Sequence, residues 1–414
     1  MKRIIAAISL FLFLVWTVVF AGATLMQAQE RVNAGGDQQQ NNLPQQGRDF
    51  GPLKVRPLEG ALHGDAAAAA QLAPRQALPL VIAPGNSVPL FSSNIPFPFT
   101  MVGTDPRIAG AGTTNVTVMI IPLRLNYIDA NGNLVASISP SNIGCNDNQS
   151  VLARVMNSPL FNPVTWHEGN VIVGVTQFTD AFQRANFWSS VSTVSPNFHV
   201  MLNPQVMREV TVPVTPGLGA LGNGMCANHP VGTVNLQYLD GVVQSLISAL
   251  NIPPTVLPLF LTYDIGETTN GCCALGYHTV MAPTPFNPGV FTYAVSSYLD
   301  PNANQAFGVP LAVSDISILS HELGEWVDDP LGNNVIAPQW GRVGQIPNSC
   351  QNNLEVGDPL TGTNSNVFMA NGAVYTVQDL AFFSWFARQN PSIAVNGWYT
   401  TLNTFPAFAA ACAP

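Results

Sequence analysis

His321 and Glu325 stand four residues apart in Ser320-His321-Glu322-Leu323-Gly324-Glu325-Trp326, and that spacing decides what chemistry they can share. On a helix, positions i and i+4 lie on one face, one turn above the other. An imidazole and a carboxylate so placed offer two ligands to one metal ion. Glu322 lies one step round the helix, where its carboxylate reaches a water held on such an ion. Apolar Ile316, Leu319, Leu323 and Trp326 recur at spacings of three and four, the pattern of a helix buried along one side. Ser314 is expected to cap this helix and Asp328-Asp329-Pro330 to end it, with Leu331-Gly332-Asn333-Asn334 turning the chain.

The elements that must hold this helix read as strands leading into it. Val116–Tyr127 is a strand followed by a turn over Asp129-Ala130-Asn131-Gly132. Leu257–Tyr263, Tyr277–Met281 and Phe291–Ser297 are strands in succession, and Phe198–Leu202 and Glu209–Val214 are shorter ones. Helices are expected over Ser150–Met156, Asp180–Ser189, Leu236–Leu250 and, last, Val377–Arg388. The whole is an α+β pattern, a mixed sheet packed on a central helix.

The helix motif resembles that of the zincin metallopeptidases, His-Glu-x-x-His, with Glu325 standing where their second histidine does. A longer ordered set consists of Tyr277-His278, Tyr293-Ala294-Val295, Ser320 to Glu325, Asp329-Pro330 and Glu355-Val356-Gly357-Asp358. It resembles a group of secreted bacterial proteins and, more distantly, the plant phosphate-induced (exordium-like) proteins. This resemblance implies a zincin-like fold of gluzincin type. It also implies that His321, Glu325 and Glu355 bind one divalent metal ion while Glu322 acts as general base. Asp358 then orients His321 or replaces Glu355 as a ligand. His278 stands beside the cleft on an edge strand, or is simply a buried, hydrogen-bonded strand histidine. Zinc is the expected ion, although one imidazole with two carboxylates is a hard site at which manganese or calcium competes better.

The function so implied is a secreted metal-dependent hydrolase, a metallopeptidase acting on a peptide or protein. The alternative is a non-catalytic extracellular or cell-envelope binding protein on the same scaffold. A third reading is a polysaccharide hydrolase working through paired carboxylates such as Glu322 and Asp329. Other motifs point to less. His167-Glu168 is followed by Gly169 and Val171, so no second ligand arrives at helical spacing and the pair reads as structural. Cys272 or Cys273 with His278 has the residue types of a nucleophile and base, yet in an exported chain disulfides are favoured. No Gly-x-Ser-x-Gly elbow is present. Met369 reads as packing, and Phe382, Phe383, Trp385 and Phe386 as helix core.

Composition bounds the rest. Lys2-Arg3, the apolar run Ile4–Phe20 and Ala21-Gly22-Ala23 give residues 1–23 the form of a signal peptide. If it is left uncleaved, the same run is a membrane anchor. Residues 24–79 are rich in Gln, Asn, Gly and Ala, a low-complexity linker or pro-segment. Residues 80–414 remain for one zincin-like domain. The net charge is −9 and Lys2 and Lys54 are the only lysines, so a nucleic-acid partner, which needs clustered cations, is excluded. Six cysteines suggest disulfides; adjacent Cys272 and Cys273 are expected to find separate partners, because a bond between neighbours is strained.

Overall fold

Thr113–Ile128 (β1) is the spine of the molecule: its alternate residues Val116, Val118 and Ile120 are fully buried, and so, further along, are Leu123 and Leu125. The computed structural model describes residues 88–412 apart from 94–96, 146–147, 225, 227–228, 270, 282–289 and 309–311. The leader and linker expected over 1–79 lie outside the described residues.

The main sheet is seven-stranded, and the other six strands are Leu134–Ile138 (β2), His199–Val206 (β3), Val210–Val214 (β4), Val256–Tyr263 (β5), Gly276–Met281 (β6) and Phe291–Tyr298 (β7). Its path runs β6-β7-β5-β1-β2, with β3 and β4 also pairing to β1. Strands β3, β4 and β5 run parallel to β1, and β7 runs parallel to β5. Strand β2 is antiparallel to β1, and β6 is antiparallel to β7 with His278 opposite Ala294. Every residue of β5 and β7 is buried, as expected of strands covered on both faces. The architecture is therefore α+β with a mixed sheet.

Three helices matter for the site: Phe178–Asn186 (α1), Leu236–Ala249 (α2) and Ser317–Asp328 (α3). All twelve residues of α3 are buried. Its apolar side packs Leu319, Leu323 and Trp326 against the sheet, each worth about 1.5–3 kcal/mol of burial. The Trp326 indole donates to Thr292 Oγ1 of β7 at 3.1 Å. At the far end Asp328 accepts from Gln183 of α1 at 2.6 Å, so the helix is fixed to sheet and neighbour alike.

Several expectations are corrected. Ser314 does not cap α3: the helix starts at Ser317 because Asp315 sits at φ +57°, and Ser314 instead donates its amide to Ser317 Oγ at 3.0 Å. No helix spans Val377–Arg388. Val374–Gln378 is a strand paired with Asn364–Phe368, and only Phe383–Phe386 is helical. There the Gln378 amide is taken by Ser320 Oγ at 2.9 Å and Asp379 accepts from Thr401 and Thr404 at 2.6 Å each, contacts that outweigh local helix preference. The helix expected over Asp180–Ser189 breaks at Phe187 into α1 and a short turn, Trp188–Val191.

The cysteines pair as Cys145–Cys226, Cys350–Cys412 and Cys272–Cys273. The neighbouring cysteines do bond to each other, since the other four are committed elsewhere. Among the described residues no helix is long and apolar enough to cross a membrane.

Candidate metal centre

Strand β6, helix α3 and the segment after Cys350–Asn353 bring all six sequence-singled residues together: His278, His321, Glu322, Glu325, Glu355 and Asp358. Donor atoms of His321, Glu322 and Glu325 lie within 4.8 Å of one another, as do those of His278, Glu325 and Glu355. Glu325 belongs to both groups and is the hub.

His321 has its two ring nitrogens assigned by their surroundings. Nδ1 lies 3.1 Å from Gln378 Oε1, while the amide nitrogen of the same Gln378 donates to the Gly357 carbonyl at 2.7 Å. That leaves Nε2 facing Glu325 Oε2 at 3.1 Å and Asp358 Oδ1 at 3.6 Å. A ligating imidazole usually has this form, one nitrogen tied to an outer partner and the other turned to the ion. The group that orients His321 is thus Gln378, while Asp358 stands on the Nε2 side. Asp358 is itself held by Gln345 and by Gln351, the latter at 3.1 Å.

Glu325 accepts the amides of Gly357 and Asp358 at 3.0 and 3.2 Å on Oε1, leaving Oε2 toward the histidines. Glu355 accepts from Asn353 at 2.9 Å on Oε1, but its Oε2 is buried and receives no hydrogen bond. His278 lies between the carboxylates, with Nδ1 3.5 Å from Glu322 Oε2 and 3.7 Å from Glu325 Oε2. Its Nε2 is 3.1 Å from the Asp329 carbonyl and 3.9 Å from Glu355 Oε2.

Two glycines make this crowding possible. A Cβ on Gly276 would stand 2.8 Å from Glu322 Oε1, and one on Gly357 would stand 2.5 Å from His321 Nδ1.

The electrostatics follow from burying four carboxylates with two imidazoles. Burial lowers the affinity of His321 for its proton, but Glu325, Glu322 and Asp358 outweigh it and push the imidazole up to about 10. His278 is raised too, since its carboxylate neighbours Glu322 and Glu325 again outweigh burial. Glu325 is lowered despite burial, because it faces both histidines. Burial and repulsion from Glu325, Asp329 and Asp358 hold Glu355 well above the carboxylate range. Burial and Glu325 push Asp358 up to about 8. Without an ion, only protons, such as one shared between Glu325 and Glu355, relieve this excess of negative charge.

The donor set therefore fits a divalent cation: an oriented imidazole, carboxylates, and one buried carboxylate oxygen that no protein donor hydrogen-bonds. Sequence reasoning missed Gln378, Asn353, Gln345 and Gln351, which lie on other elements and carry no local pattern. Asp329 serves another purpose, accepting the amides of Asn333 at 2.9 Å and Asn334 at 3.0 Å and so closing the turn after α3. Glu168 is buried in the Val164–Glu168 strand beside Asp379, away from any second ligand at helical spacing, while His167 is exposed. Comparison with family models, curated proteins and solved structures brings up no match to this chain.

Proposed function

We propose that this chain is an exported, zincin-like, metal-dependent hydrolase that cleaves peptide bonds. The observation that carries the reading is the buried Glu355 Oε2, which accepts no hydrogen bond from a protein donor and faces His278 Nε2 at 3.9 Å, beside Glu325. His321 Nε2, Glu325 and Glu355 would hold the ion, zinc by preference, with His278 or Asp358 available as a further donor. When bound, the ion supplies a Lewis acid that polarises a carbonyl and makes water more acidic. Glu322, buried on the same turn as His321, receives the proton of the attacking water and passes it to the departing amine. His278 holds Glu322 in place from 3.5 Å.

A peptide is favoured as substrate because β6, which bears His278, is the end strand of its sheet among the described residues. An extended chain added alongside it would hydrogen-bond through its backbone and lay a carbonyl next to the site. The zincin-like reading rests on a mixed sheet whose antiparallel end strand lies against a His-Glu-x-x-Glu helix. Export is supported by the leader sequence and by three disulfides.

The excess of carboxylate over imidazole favours one competing reading, a binding protein that keeps the ion without catalysis, because such a site neutralises its metal strongly. Glu322→Gln separates the two. Cleavage of a peptide library, abolished by Glu322→Gln and by chelation while metal content stays at the wild-type level, supports the hydrolase. Absence of cleavage in the metal-loaded wild type would refute it.

A further inference from the structure

A second cluster brings together donor types that suit a metal ion: Cys145, Cys226, His229 and Asp300. In the oxidised chain Cys145 and Cys226 are bonded to each other. Cys226 and His229 are three residues apart in the sequence, and the His229 amide donates to the Cys226 carbonyl at 2.9 Å. Ligands a few residues apart in the sequence are common at zinc sites.

Asp300 follows the end of β7 and is 1% exposed. It accepts the Cys145 amide at 2.9 Å on Oδ1 and the Tyr263 hydroxyl at 2.5 Å on Oδ2. Its own amide donates to Asp264 Oδ1 at 2.8 Å, so two contacts fix the carboxylate and a third fixes the backbone behind it.

His229 Nδ1 lies 3.4 Å from Cys145 Sγ, 3.2 Å from Asp300 Oδ2 and 2.7 Å from the Tyr263 hydroxyl. Donors on a tetrahedral ion with bonds of about 2.0–2.3 Å stand about 3.3–3.8 Å apart. The imidazole-to-sulfur and imidazole-to-carboxylate spacings are of that size, and all four donors lie within 4.8 Å of one another. A cleft of about 440 Å³, lined by Ser137, Asn142, Ile143 and Tyr263 as well as His229, gives the cluster an entry path.

We propose that Cys145, Cys226, His229 and Asp300 form a latent site for a zinc-class divalent ion, closed by the Cys145–Cys226 disulfide and opened by its reduction. A dithiol supplies two electrons and two protons to the disulfide, becoming a disulfide itself, and leaves two thiols on the chain. The ion then displaces both thiol protons to solvent and is held by two thiolates, the neutral imidazole and the carboxylate. Tyr263 keeps Asp300 oriented through its hydrogen bond to Oδ2, and its 2.7 Å contact with His229 Nδ1 gives way to the ion. Each state excludes the other, because the disulfide removes the thiolates and the bound ion shields them from reoxidation. The metal load of the chain then depends on its redox history, independently of the His-Glu helix.

The test uses the full chain and cobalt(II), whose charge-transfer bands report thiolate ligands. Cobalt is added to the oxidised chain, and to the chain reduced under nitrogen with the reductant removed. The expected result is thiolate bands and about one further equivalent of cobalt in the reduced form alone, unaffected by His321→Ala. The reduced Cys145→Ser/Cys226→Ser variant, whose other four cysteines are reduced equally, should show no bands. His229→Ala should weaken binding about tenfold or more. Equal bands in wild type and the double variant would overturn the proposal. So would loss of the near-ultraviolet dichroism of the reduced chain with cobalt present, because the ligand set exists only in the folded protein.

Discussion

Gly357→Ala tests the packing that sets His321, the proposed imidazole ligand. The glycine has φ −87° and ψ −35°, which any residue adopts, so the substitution acts through space and not through backbone strain. The new Cβ would stand 2.5 Å from His321 Nδ1, 2.7 Å from Cγ and 2.8 Å from Cε1, where ordinary contact begins near 3.4 Å. The ring must therefore retreat by about 0.9 Å. It has no free direction, being held by Gln378 at 3.1 Å on one nitrogen and facing Glu325 at 3.1 Å on the other. Residue 357 is equally fixed, its amide on Glu325 and its carbonyl on Gln378.

A displacement of that size is several times the tolerance of about 0.2 Å on metal–ligand distances. Losing an outer partner of a ligand costs about 10–100-fold in metal affinity. Overpacking costs about 1–3 kcal/mol of stability in addition. The assay is competition for zinc with a chromophoric chelator, beside thermal melts of the metal-free protein. Gly241→Ala on the exposed side of α2 is the control, since its Cβ meets nothing within 4 Å. That variant should keep its zinc affinity and gain up to about 1 kcal/mol. Zinc affinity in Gly357→Ala within twofold of wild type would refute the reasoning.

Two further outcomes follow from the site and its supports. The folded, metal-free chain keeps a proton on His321 up to about 10 and on Asp358 up to about 8, where the unfolded chain gives them up from 6.5 and 3.8 respectively, so above 6.5 both shifts leave the folded chain with more protons. Its stability should fall as pH climbs from 6.5 toward 10, while zinc uptake should release protons and tighten over the same range. Melts of the chelated protein that stay flat across that window would contradict this. Arg154→Ala should cost about 3–5 kcal/mol in urea unfolding, because it leaves buried Asp315 unpaired near the start of α3. A cost below about 1 kcal/mol would place that ion pair among the weak surface ones.

How much was legible in the sequence depended on how local the signal was. Helix α3 could be read because its apolar spacing and its His-Glu-x-x-Glu face repeat within one segment. Strands β1, β5, β6 and β7 could be read from their apolar runs, and the turn at Asp129 from its Asp-Ala-Asn-Gly residues, which the Gly132 amide closes by donating to the Asp129 carbonyl at 3.0 Å. What escaped depends on residues far apart in the chain. Gln378 touches His321 across 57 positions, and its strand, Val374–Gln378, takes up the first two residues of the helix that local pattern favours over Val377–Arg388. Asp315 at φ +57° moved the helix start without leaving a cap signature. The neighbouring cysteines, expected to find separate partners, bond to each other, because pairing depends on which of the other four are brought together in space. His278 was singled out only as a possible neighbour of the site, yet it stands within 4 Å of three carboxylates, a position that depends on how β6 lies against α3.

The central claim is that His321, Glu325 and Glu355 hold one divalent ion. Elemental analysis of the purified, non-reduced protein after loading with zinc or manganese, beside His321→Ala, reads it directly. About one equivalent in the wild type, lost in the variant while the fold is retained by circular dichroism, is the expected result. A wild type that retains no ion after either metal is offered would contradict the account.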